Sequence, residues 1–248
     1  MSDNTSPYLG PPPPGWTLGQ LSRKYETAGR GPGTVSSGKG DAGGVSYGSY
    51  QMTSKPNGGT VRHFVNDPWA IAWHSQFGRH VPGSPAFTAV WHHVAGTTPA
   101  LFQAAQHGYI QRTHYDPLAA STRRHGVDLS HRSAALRDVV WSTSVQHGPR
   151  TPVIARAIQA SQGNLEDDAA LIKAIYAERG RKAANGSLVY FHHNAISVQH
   201  GVAKRFVDEE REALSMLAAQ RRVAASANVA GAPPFALPGA GVPPRLIP

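Results

Sequence analysis

The chain has 248 residues, 40% of them hydrophobic, and no cysteine. A chain of this length and composition can bury a core as one main domain. Without cysteine it forms no disulfide, thiol nucleophile or thiolate zinc site. Its formal net charge of +9 at pH 7 suits an anionic partner such as nucleic acid, anionic lipid or an anionic wall polymer, without selecting one of them.

The two ends of the chain differ in composition from the part between them. Residues 1–15 end in four prolines and a glycine, which predicts a flexible, polyproline-like lead-in. Residues 223–248 are rich in Ala, Gly and Pro and predict a flexible tail. We therefore expect the ordered domain to span residues 16–222.

Targeting signals are not evident in the sequence. The first residues lack the basic and apolar regions of a signal peptide, and no apolar run approaches the ~20 residues that span a bilayer. We therefore expect a protein that is made in the cytoplasm and acts in the periplasm or cell wall, or is delivered into a target cell, without a cleaved leader.

The first predicted elements are a helix and a hairpin. Leu18, Leu21 and Tyr25 recur at helical spacing and Gly29 is a natural stop, so Glu26 is predicted to lie in the last turn of the first helix. Eight glycines between residues 29 and 48 predict a turn-rich region with a small β-hairpin.

The rest of the predicted domain is helical. Ser84-Pro85, Thr98-Pro99 and Thr151-Pro152 each offer an N-cap residue followed by a proline, which predicts helix starts at these points. The apolar segment 134–145 predicts a buried central helix. The predicted helices cover residues 60–75, 85–95, 99–113, 131–147, 152–161, 167–179 and 201–222. The predicted fold class is therefore mainly α (α+β), with one small hairpin near its start.

The carboxylates Glu26 and Asp41 carry the most suggestive chemistry. A Glu at a helix end beside an aromatic ring is partly desolvated, which raises its pKa and keeps a proton available. Asp41 lies among glycines and is expected to stay ionised and to activate a water molecule. Two separated acids are what the cleavage of a glycosidic bond requires. The alternative, that Glu26 is a solvated helix residue and Asp41 a turn residue, remains open at this level.

Competing motifs fit less well. Residues 33–40 have phosphate-loop spacing, but Gly40 stands where Ser or Thr would bind magnesium. Residues 44–48 match a nucleophile elbow around Ser46, but no buried strand precedes them. Thirteen histidines include no H-E-x-x-H pattern, so no metal site or cofactor is predicted. No clustered basic helix or base-stacking motif is present, and nucleic acid is not an expected partner.

The residues around the acid pair resemble the lysozyme superfamily. Glu26 is followed by Gly-Asp-Ala-Gly-Gly-Val-Ser-Tyr-Gly-Ser-Tyr-Gln over residues 40–51, similar to family 46 chitosanases, in which a helical Glu precedes an Asp in a glycine-rich turn. The end of this segment is similar to a strand of lytic transglycosylases and goose-type lysozymes. Over roughly residues 20–220 the chain resembles bacterial and prophage Vgr-related proteins, through residues 26–38, 111–115, 145–148 and 175–179.

The resemblance implies a lysozyme-like helical domain with the hairpin next to the catalytic helix. Glu26 matches the general acid, Asp41 the general base and Gln51 a cleft-lining residue. The Arg and Thr of the chitosanase turn are missing after Asp41, so the way in which water is positioned stays open. We expect Tyr47 and Tyr50 to contact the sugars.

A second candidate wall of the cleft is the end of the predicted central helix. Gln146 and His147 are expected to face the hairpin from across the cleft. An equally suitable interpretation is a C-terminal helix cap, in which His147 faces the helix dipole and Gly148 turns the chain.

The predicted function is that of a muramidase, a glycoside hydrolase that cleaves the glycan backbone of peptidoglycan without a cofactor or metal. The charge of +9 favours peptidoglycan, with its peptide carboxylates, over cationic chitosan. A lytic transglycosylase that uses Glu26 alone and a chitosanase-like glycosidase are the nearest alternatives. A rival from another class is a non-catalytic wall-binding component. The Vgr resemblance also implies a phage-tail or type VI secretion carrier as a partner.

Overall fold

The computed structural model describes residues 12–23, 31–39, 43–161 and 163–230, with side chains up to residue 226. Within these ranges the fold is mainly α, with one two-stranded antiparallel sheet, which confirms the predicted class. Glu26 and Asp41 lie outside the described residues. So do residues 1–11 and 231–248, which contain most of the predicted flexible ends.

The elements follow in chain order. The strands are β1 (Ser46–Tyr47) and β2 (Met52–Thr53). The α-helices are α1 (Gly59–Val65), α2 (Ile71–Phe77), α3 (Pro85–Thr97), α4 (Pro99–Ile110), α5 (Asp116–Arg124), α6 (Ala134–His147), α7 (Val153–Ala160), α8 (Asp168–Arg179) and α9 (Ile196–Ala230). Short 3-10 turns span Pro68–Ala70 and Leu129–His131, and a π-helical turn spans Gln111–Tyr115.

Helix starts were predicted at three Ser/Thr-Pro pairs. Ser84 caps α3, because its hydroxyl accepts a hydrogen bond from the Phe87 N–H at 3.2 Å. Thr98 precedes α4, but its hydroxyl instead donates to the Val94 carbonyl at 3.1 Å in the preceding helix. Thr151 Oγ1 accepts from Val153 N at 3.4 Å. The three pairs therefore mark the right positions, while only Ser84 makes a full capping bond.

Two predicted helices have different lengths in the structure. The helix predicted over 60–75 is divided into α1 and α2, because Asp67 caps the intervening 3-10 turn through the Trp69 N–H at 3.0 Å. The helix predicted over 201–222 is α9, which runs on to Ala230. Eight residues of the predicted tail are therefore helical. Residues 223–230 are Ala-rich and contain neither Gly nor Pro, so their own propensity favours helix.

The helix predicted to end at residue 113 continues into α5 through the π-helical turn. The Asp116 N–H donates to the Gln111 carbonyl, five residues earlier. Pro117 follows and has no N–H to donate, so a regular α-helical bond is lost at this point in any case. A π-helical turn lets the chain pass the proline without ending the helix, and such turns are frequent at functional sites.

The central helix is α6, as predicted, and all of its residues from Ala134 to Ser144 are buried except Arg137. One side of the core holds aromatic rings of the hairpin and of α1 to α4, including Phe64, Trp91 and Phe102. The other side holds aliphatic residues of α7 and α8. Trp141, fully buried on α6, belongs to this continuous core. The hairpin therefore rests on the first half of the helical body.

Candidate functional site

The hairpin that follows the position of Asp41 is held from both sides. Tyr47 pairs with Met52 across the two strands, and the preceding chain adds a third, strand-like edge. On that edge the Ser36 N–H donates to the Ser46 carbonyl at 2.9 Å. Ser46 is therefore part of a sheet and is followed by a turn. This is not the strand-to-helix geometry that a nucleophile elbow requires.

Tyr47 fixes the hairpin to the core. Its side chain has no exposed surface, and its ring lies 5.1 Å from that of Phe87 and 5.2 Å from that of Trp91. Its hydroxyl contacts Thr88 Oγ1 at 2.8 Å and accepts from the Gly83 N–H at 3.0 Å. The expectation that Tyr47 contacts a sugar is contradicted by this burial, since neither ring face is open to a ligand.

The turn between the strands is seated on α4. The buried Gln106 accepts from the Ser49 N–H at 3.0 Å and donates to the Pro32 carbonyl at 3.1 Å. Ser49 Oγ also donates to Gln103. Gly48 has a φ of 77°, and a Cβ atom there would lie 2.2 Å from Gln106 Oε1. The turn requires glycine at this position for both conformation and space.

Tyr50 lies in the same turn and is half-buried, and its ring lies 6.1 Å from that of Trp141. Its hydroxyl lies 2.7 Å from His107 Nδ1, and the His107 ring stacks on Trp141 at 4.6 Å. Burial, and then the charge of Arg23, lowers the pKa of His107, so the ring is neutral at pH 7. When Tyr50 donates to Nδ1, the imidazole keeps its own proton on Nε2.

Gln51 is the other described residue of the predicted sugar-binding segment. It has a φ of 50°, a conformation that is uncommon outside glycine. Its side-chain amide donates to the Gly48 carbonyl at 2.9 Å. This bond turns Gln51 back onto the hairpin and holds its half-buried side chain beside the turn.

A row of half-buried polar residues continues from the hairpin along α4 and the π-helical turn. Its members, called here the α4 polar row, are Gln103, His107, Gln111 and His114. Their spacing places them on one side of the helix. Burial lowers the pKa of His114, whose Nδ1 lies 2.9 Å from Thr113 Oγ1. Sequence analysis missed Gln103 and His107, since the only signal was the helical spacing of polar residues, which is equally typical of the solvent-exposed face of a helix.

The segment before Glu26 is held against α6. The buried Asp138 accepts from the Gly19 N–H at 2.8 Å and from the Leu21 N–H at 2.9 Å. Gly19 lies so close to Trp141 that a Cβ atom would be 2.6 Å from the indole nitrogen. Burial raises the pKa of Asp138 to about 6, against the opposing effect of these two bonds. Residues 16–23 are therefore fastened beside the Trp141 and His107 rings.

Both ends of the segment that contains Glu26 border α4. Before it, Arg23 lies close enough to His107 for its charge to lower the pKa of that ring. After it, the Pro32 carbonyl accepts from Trp91 Nε1 at 2.9 Å and from Gln106 on α4 at 3.1 Å. The described residues thus bring Tyr50, Gln51 and the α4 polar row together with the two flanks of Glu26.

Gln146 and His147 face a different part of the molecule. At 3.6 residues per turn, Gln146 is rotated by roughly 140° from Trp141 around the axis of α6. Its side-chain oxygen accepts from Arg179 of α8. The His147 ring packs 5.3 Å from both Tyr190 and Phe191. The side chains are thus directed toward α8 and the segment that precedes α9, in contrast to the predicted wall facing the hairpin.

α6 ends at His147, and Gly148 turns the chain with a φ of 86°, as the capping interpretation predicts for Gly148; His147, however, brings no positive charge to the helix dipole. Burial lowers the pKa of His147 to about 3, and the nearby charges of Arg179 and Arg205 add to this effect. The ring is therefore neutral at any physiological pH and serves as packing at the helix end.

Within the described residues, no group of three or more His, Asp or Glu side chains is arranged to hold a metal ion. In the same part of the chain, no helix is long and apolar enough to cross a membrane.

Comparison with known proteins gives one matching family model, and the individual matches include a curated relative and a solved structure. The family model of the type VI secretion system spike protein VgrG3-like, C-terminal, matches residues 18–210. The type VI secretion system spike protein VgrG3 of Vibrio cholerae serotype O1 is 43% identical over 143 residues. This match covers 58% of the chain but only 14% of the relative.

A solved chain described as a chitosanase complex structure aligns with a TM-score of 0.44 and 22% identity, over 64% of this chain and 74% of that one. The family model, by contrast, covers most of the sequence and includes the hairpin, the α4 polar row and the Asp138 contact. The protein belongs to the family of VgrG3-like C-terminal domains of type VI secretion spike proteins.

Proposed function

We propose that this chain is a lysozyme-like muramidase that hydrolyses the glycan strands of peptidoglycan after delivery by a type VI secretion system. One observation carries the proposal. The residues on either side of the segment that contains Glu26 contact α4, where Tyr50 and the α4 polar row also lie. Half-buried aromatic and amide side chains on rigid elements suit sugars, which present both hydroxyl groups and apolar faces. Membership of a secretion family supports the delivery step.

The proposed reaction assigns one role to each acid. Glu26, protonated, donates its proton to the glycosidic oxygen while the bond between that oxygen and the anomeric carbon breaks. Asp41 takes a proton from a water molecule, whose oxygen forms the new bond to the anomeric carbon. The net result is one bond hydrolysed and one water consumed. Product release returns the two carboxyl groups to their starting protonation states through solvent.

The described residues would bind and orient the glycan. Tyr50 offers an aromatic face, and its hydroxyl is fixed by His107 at 2.7 Å. Gln51 and the α4 polar row offer amide and imidazole groups to sugar hydroxyls. Tyr47, Gln146 and His147 are not included in the proposed site, because their side chains face the core or the α8–α9 side.

The test is the digestion of purified sacculi by matched variants. We expect Glu26→Gln to lower the rate at which reducing ends appear by at least about a hundredfold, the scale of general acid catalysis. Glu166→Gln removes an exposed carboxylate and serves as the control with wild-type rate. Clearing by Glu26→Gln at the wild-type rate would remove Glu26 as the acid.

Asp41→Asn separates two versions of the chemistry. Loss of hydrolysis in this variant supports water activation by Asp41. If activity persists and mass spectrometry finds anhydro sugars, the chain is instead a lytic transglycosylase that uses Glu26 alone. If wild-type protein binds sacculi and releases neither reducing ends nor anhydro sugars, it is a non-catalytic wall-binding component.

A further inference from the structure

A cavity of about 560 Å³ lies between α5, the Leu129–His131 turn and the first turn of α6. It is called here the arginine cavity, because Arg123, Arg124 and Arg137 line it. Asp128 is its only lining carboxylate among the described residues. The lining therefore carries three positive charges against one negative charge. Such a balance favours a ligand with at least one anionic group.

The single carboxylate of the cavity is already engaged. Asp128 pairs with Arg123, with 3.3 Å between Nε and Oδ2. It also accepts from Ser130, from the backbone N–H at 3.0 Å and the hydroxyl at 2.8 Å. Within the described part of the chain, Arg124 and Arg137 form no ion pair. Two guanidinium groups of the cavity thus have no counter-charge among the described residues.

Arg137 is held in place before any ligand binds. Its guanidinium lies 4.7 Å above the Trp16 ring, and its side chain hydrogen-bonds to Tyr115. Arg137 is half-buried, while Arg124 is exposed at the rim. A planar guanidinium that is already oriented loses little side-chain entropy when it binds a carboxylate or phosphate with two parallel bonds.

The cavity is joined to the proposed glycan-binding surface by a series of packed rings. Tyr115 lines the cavity, and its ring lies 5.9 Å from Trp141. Trp141 stacks on His107, which contacts Tyr50. The arginine cavity is therefore the neighbour of the Tyr50 region along a continuous series of ring contacts. Leu129 and the alanines of α5 supply an apolar lining beside the charges.

We infer that the arginine cavity binds a carboxylate of the peptide stem attached to the glycan. This assignment rests on the proposed function, since a stem enters the cavity while its glycan lies along Tyr50 and the α4 polar row. The stem combines carboxylates with short aliphatic groups, which matches two available guanidinium groups beside an apolar lining. The phosphate of an anionic wall polymer has related chemistry, and the experiment separates the two sources.

The experiment measures binding of small probes, so that glycan cleavage is not needed. The probes are the dipeptide L-alanyl-γ-D-glutamate, its fully amidated form and glycerol 3-phosphate, followed by NMR titration. The test variant is Arg124→Gln/Arg137→Gln. The control is Arg79→Gln/Arg150→Gln, which removes the same charge at two exposed positions outside the cavity. Circular dichroism reports folding, and Arg124→Gln alone replaces the double variant if that protein does not fold.

We expect the dipeptide to bind wild-type protein and the control equally. The Arg124→Gln/Arg137→Gln variant should bind it at least about tenfold more weakly, the effect of losing one charge-assisted contact. The amidated form should bind wild-type protein no better than it binds the double variant. Equal dipeptide binding by test and control variants overturns the inference, and so does binding of the amidated form to wild-type protein as tightly as the dipeptide binds it. Binding of glycerol 3-phosphate with none of the dipeptide overturns the peptide-stem assignment.

A second readout links the cavity to the glycan reaction. On intact sacculi, the double variant should raise KM at least about threefold with little change in kcat, because it removes binding far from the reacting bond. On glycan strands stripped of peptide by an amidase, the double variant and the control variant should have the same KM. An unchanged KM on intact sacculi overturns the link. If wild-type protein cleaves neither substrate, the proposed function fails, while the dipeptide titration still decides whether the cavity binds carboxylate.

Discussion

The carboxylate of Asp138 accepts the backbone N–H of Gly19 at 2.8 Å, across 119 positions of the sequence. The same carboxylate holds the N–H of Leu21 at 2.9 Å. One buried side chain of the central helix thus fastens the segment that leads to Glu26. In our proposal, Asp138 is a positioning residue, which acts on the reaction by holding this segment beside Trp141 and His107.

Asp138→Ala should destabilise the protein and lower its activity. The substitution leaves two buried N–H groups without an acceptor, each at a cost of about 1–3 kcal/mol. We expect the free energy of unfolding in urea to fall by about 2–4 kcal/mol. Asp116→Ala, at an exposed position, should change it by less than about 0.5 kcal/mol. An Asp138→Ala protein as stable as this control would contradict the role of the contact.

The pKa of Asp138 also predicts a pH dependence of stability. Burial raises this pKa from 3.8 to about 6, so the folded state holds the proton more tightly than the unfolded state. Between about pH 4 and pH 6 the unfolded state therefore binds fewer protons, and the free energy of unfolding falls as the pH rises. Over the whole titration, Asp138 lowers the free energy of unfolding by about 3 kcal/mol at most.

Asp138→Asn removes this titration while keeping the shape of the side chain. We expect the difference in stability between wild-type protein and Asp138→Asn to shift toward the variant as the pH rises from 4 to 6, and to level off above pH 6. Urea unfolding at unit pH intervals measures this difference. A difference that is constant over the window would show that Asp138 has an ordinary pKa in the folded state.

Gly48 provides a test of the contact between the hairpin and α4. An added Cβ would lie 2.2 Å from Gln106 Oε1, at a residue whose φ is 77°. Gly48→Ala therefore combines backbone strain with overpacking, and we expect a loss of about 2–4 kcal/mol. Gly148 also has a positive φ, of 86°, but its Cβ would meet no atom within 4 Å.

Gly148→Ala is therefore a control that carries backbone strain, at φ 86° and ψ 159°, without the clash. It should cost about 1–3 kcal/mol. Thermal or urea unfolding of the two variants isolates the packing contribution at Gln106 as their difference. Equal losses would mean that the turn moves away from α4 without cost.

Features of the sequence that act over a few residues predicted this fold well. Ser84-Pro85 marks the start of α3, because a cap and a proline act within one turn. The Asp138 contact with Gly19 could not be predicted, because no local pattern relates two residues so far apart. Tyr47 and Tyr50 have similar neighbours in the sequence. They are three positions apart around a tight turn, and the structure buries Tyr47 fully and Tyr50 only in part.

The π-helical turn shows a different limit. Asp116-Pro117 weakens any prediction of a continuous helix, since proline normally ends one. The structure passes the proline by a bond from the Asp116 N–H to the Gln111 carbonyl. This continuity places His114 in line with His107, a relationship that the predicted end of the helix at residue 113 did not include.

A buried charge network joins α6, α8 and α9 on the side away from the hairpin. Glu209 is fully buried, and its Oε2 lies 3.2 Å from Arg179 Nη1 and accepts from Ser142 at 3.0 Å. Glu209→Gln would leave the guanidinium of the fully buried Arg179 without its counter-charge. We expect a loss of about 3–5 kcal/mol in the free energy of unfolding.

An ion pair on the surface of the same helix supplies the control. Lys204 pairs with Asp208 one turn apart, and the Lys204 side chain is 79% exposed. Lys204→Met should change stability by less than about 1 kcal/mol. Losses of similar size in Glu209→Gln and Lys204→Met, measured in urea, would argue that the buried network contributes no more than a surface pair.

The division between Tyr47 and Tyr50 can be tested by removing one hydroxyl at a time. Tyr47→Phe leaves the Gly83 N–H without its acceptor, so we expect a loss of about 1–2 kcal/mol in stability. Its kcat/KM on sacculi should change by less than about twofold at a temperature where the variant is folded, because the ring is buried.

Tyr50→Phe releases His107 and should lower kcat/KM by about tenfold, which corresponds to about 1.4 kcal/mol of lost transition-state binding. Its stability should change by less than about 1 kcal/mol, because the hydroxyl is only partly buried. The opposite result, with activity lost in Tyr47→Phe and kept in Tyr50→Phe, would restore Tyr47 as the sugar-binding residue and place the glycan on another face of the hairpin.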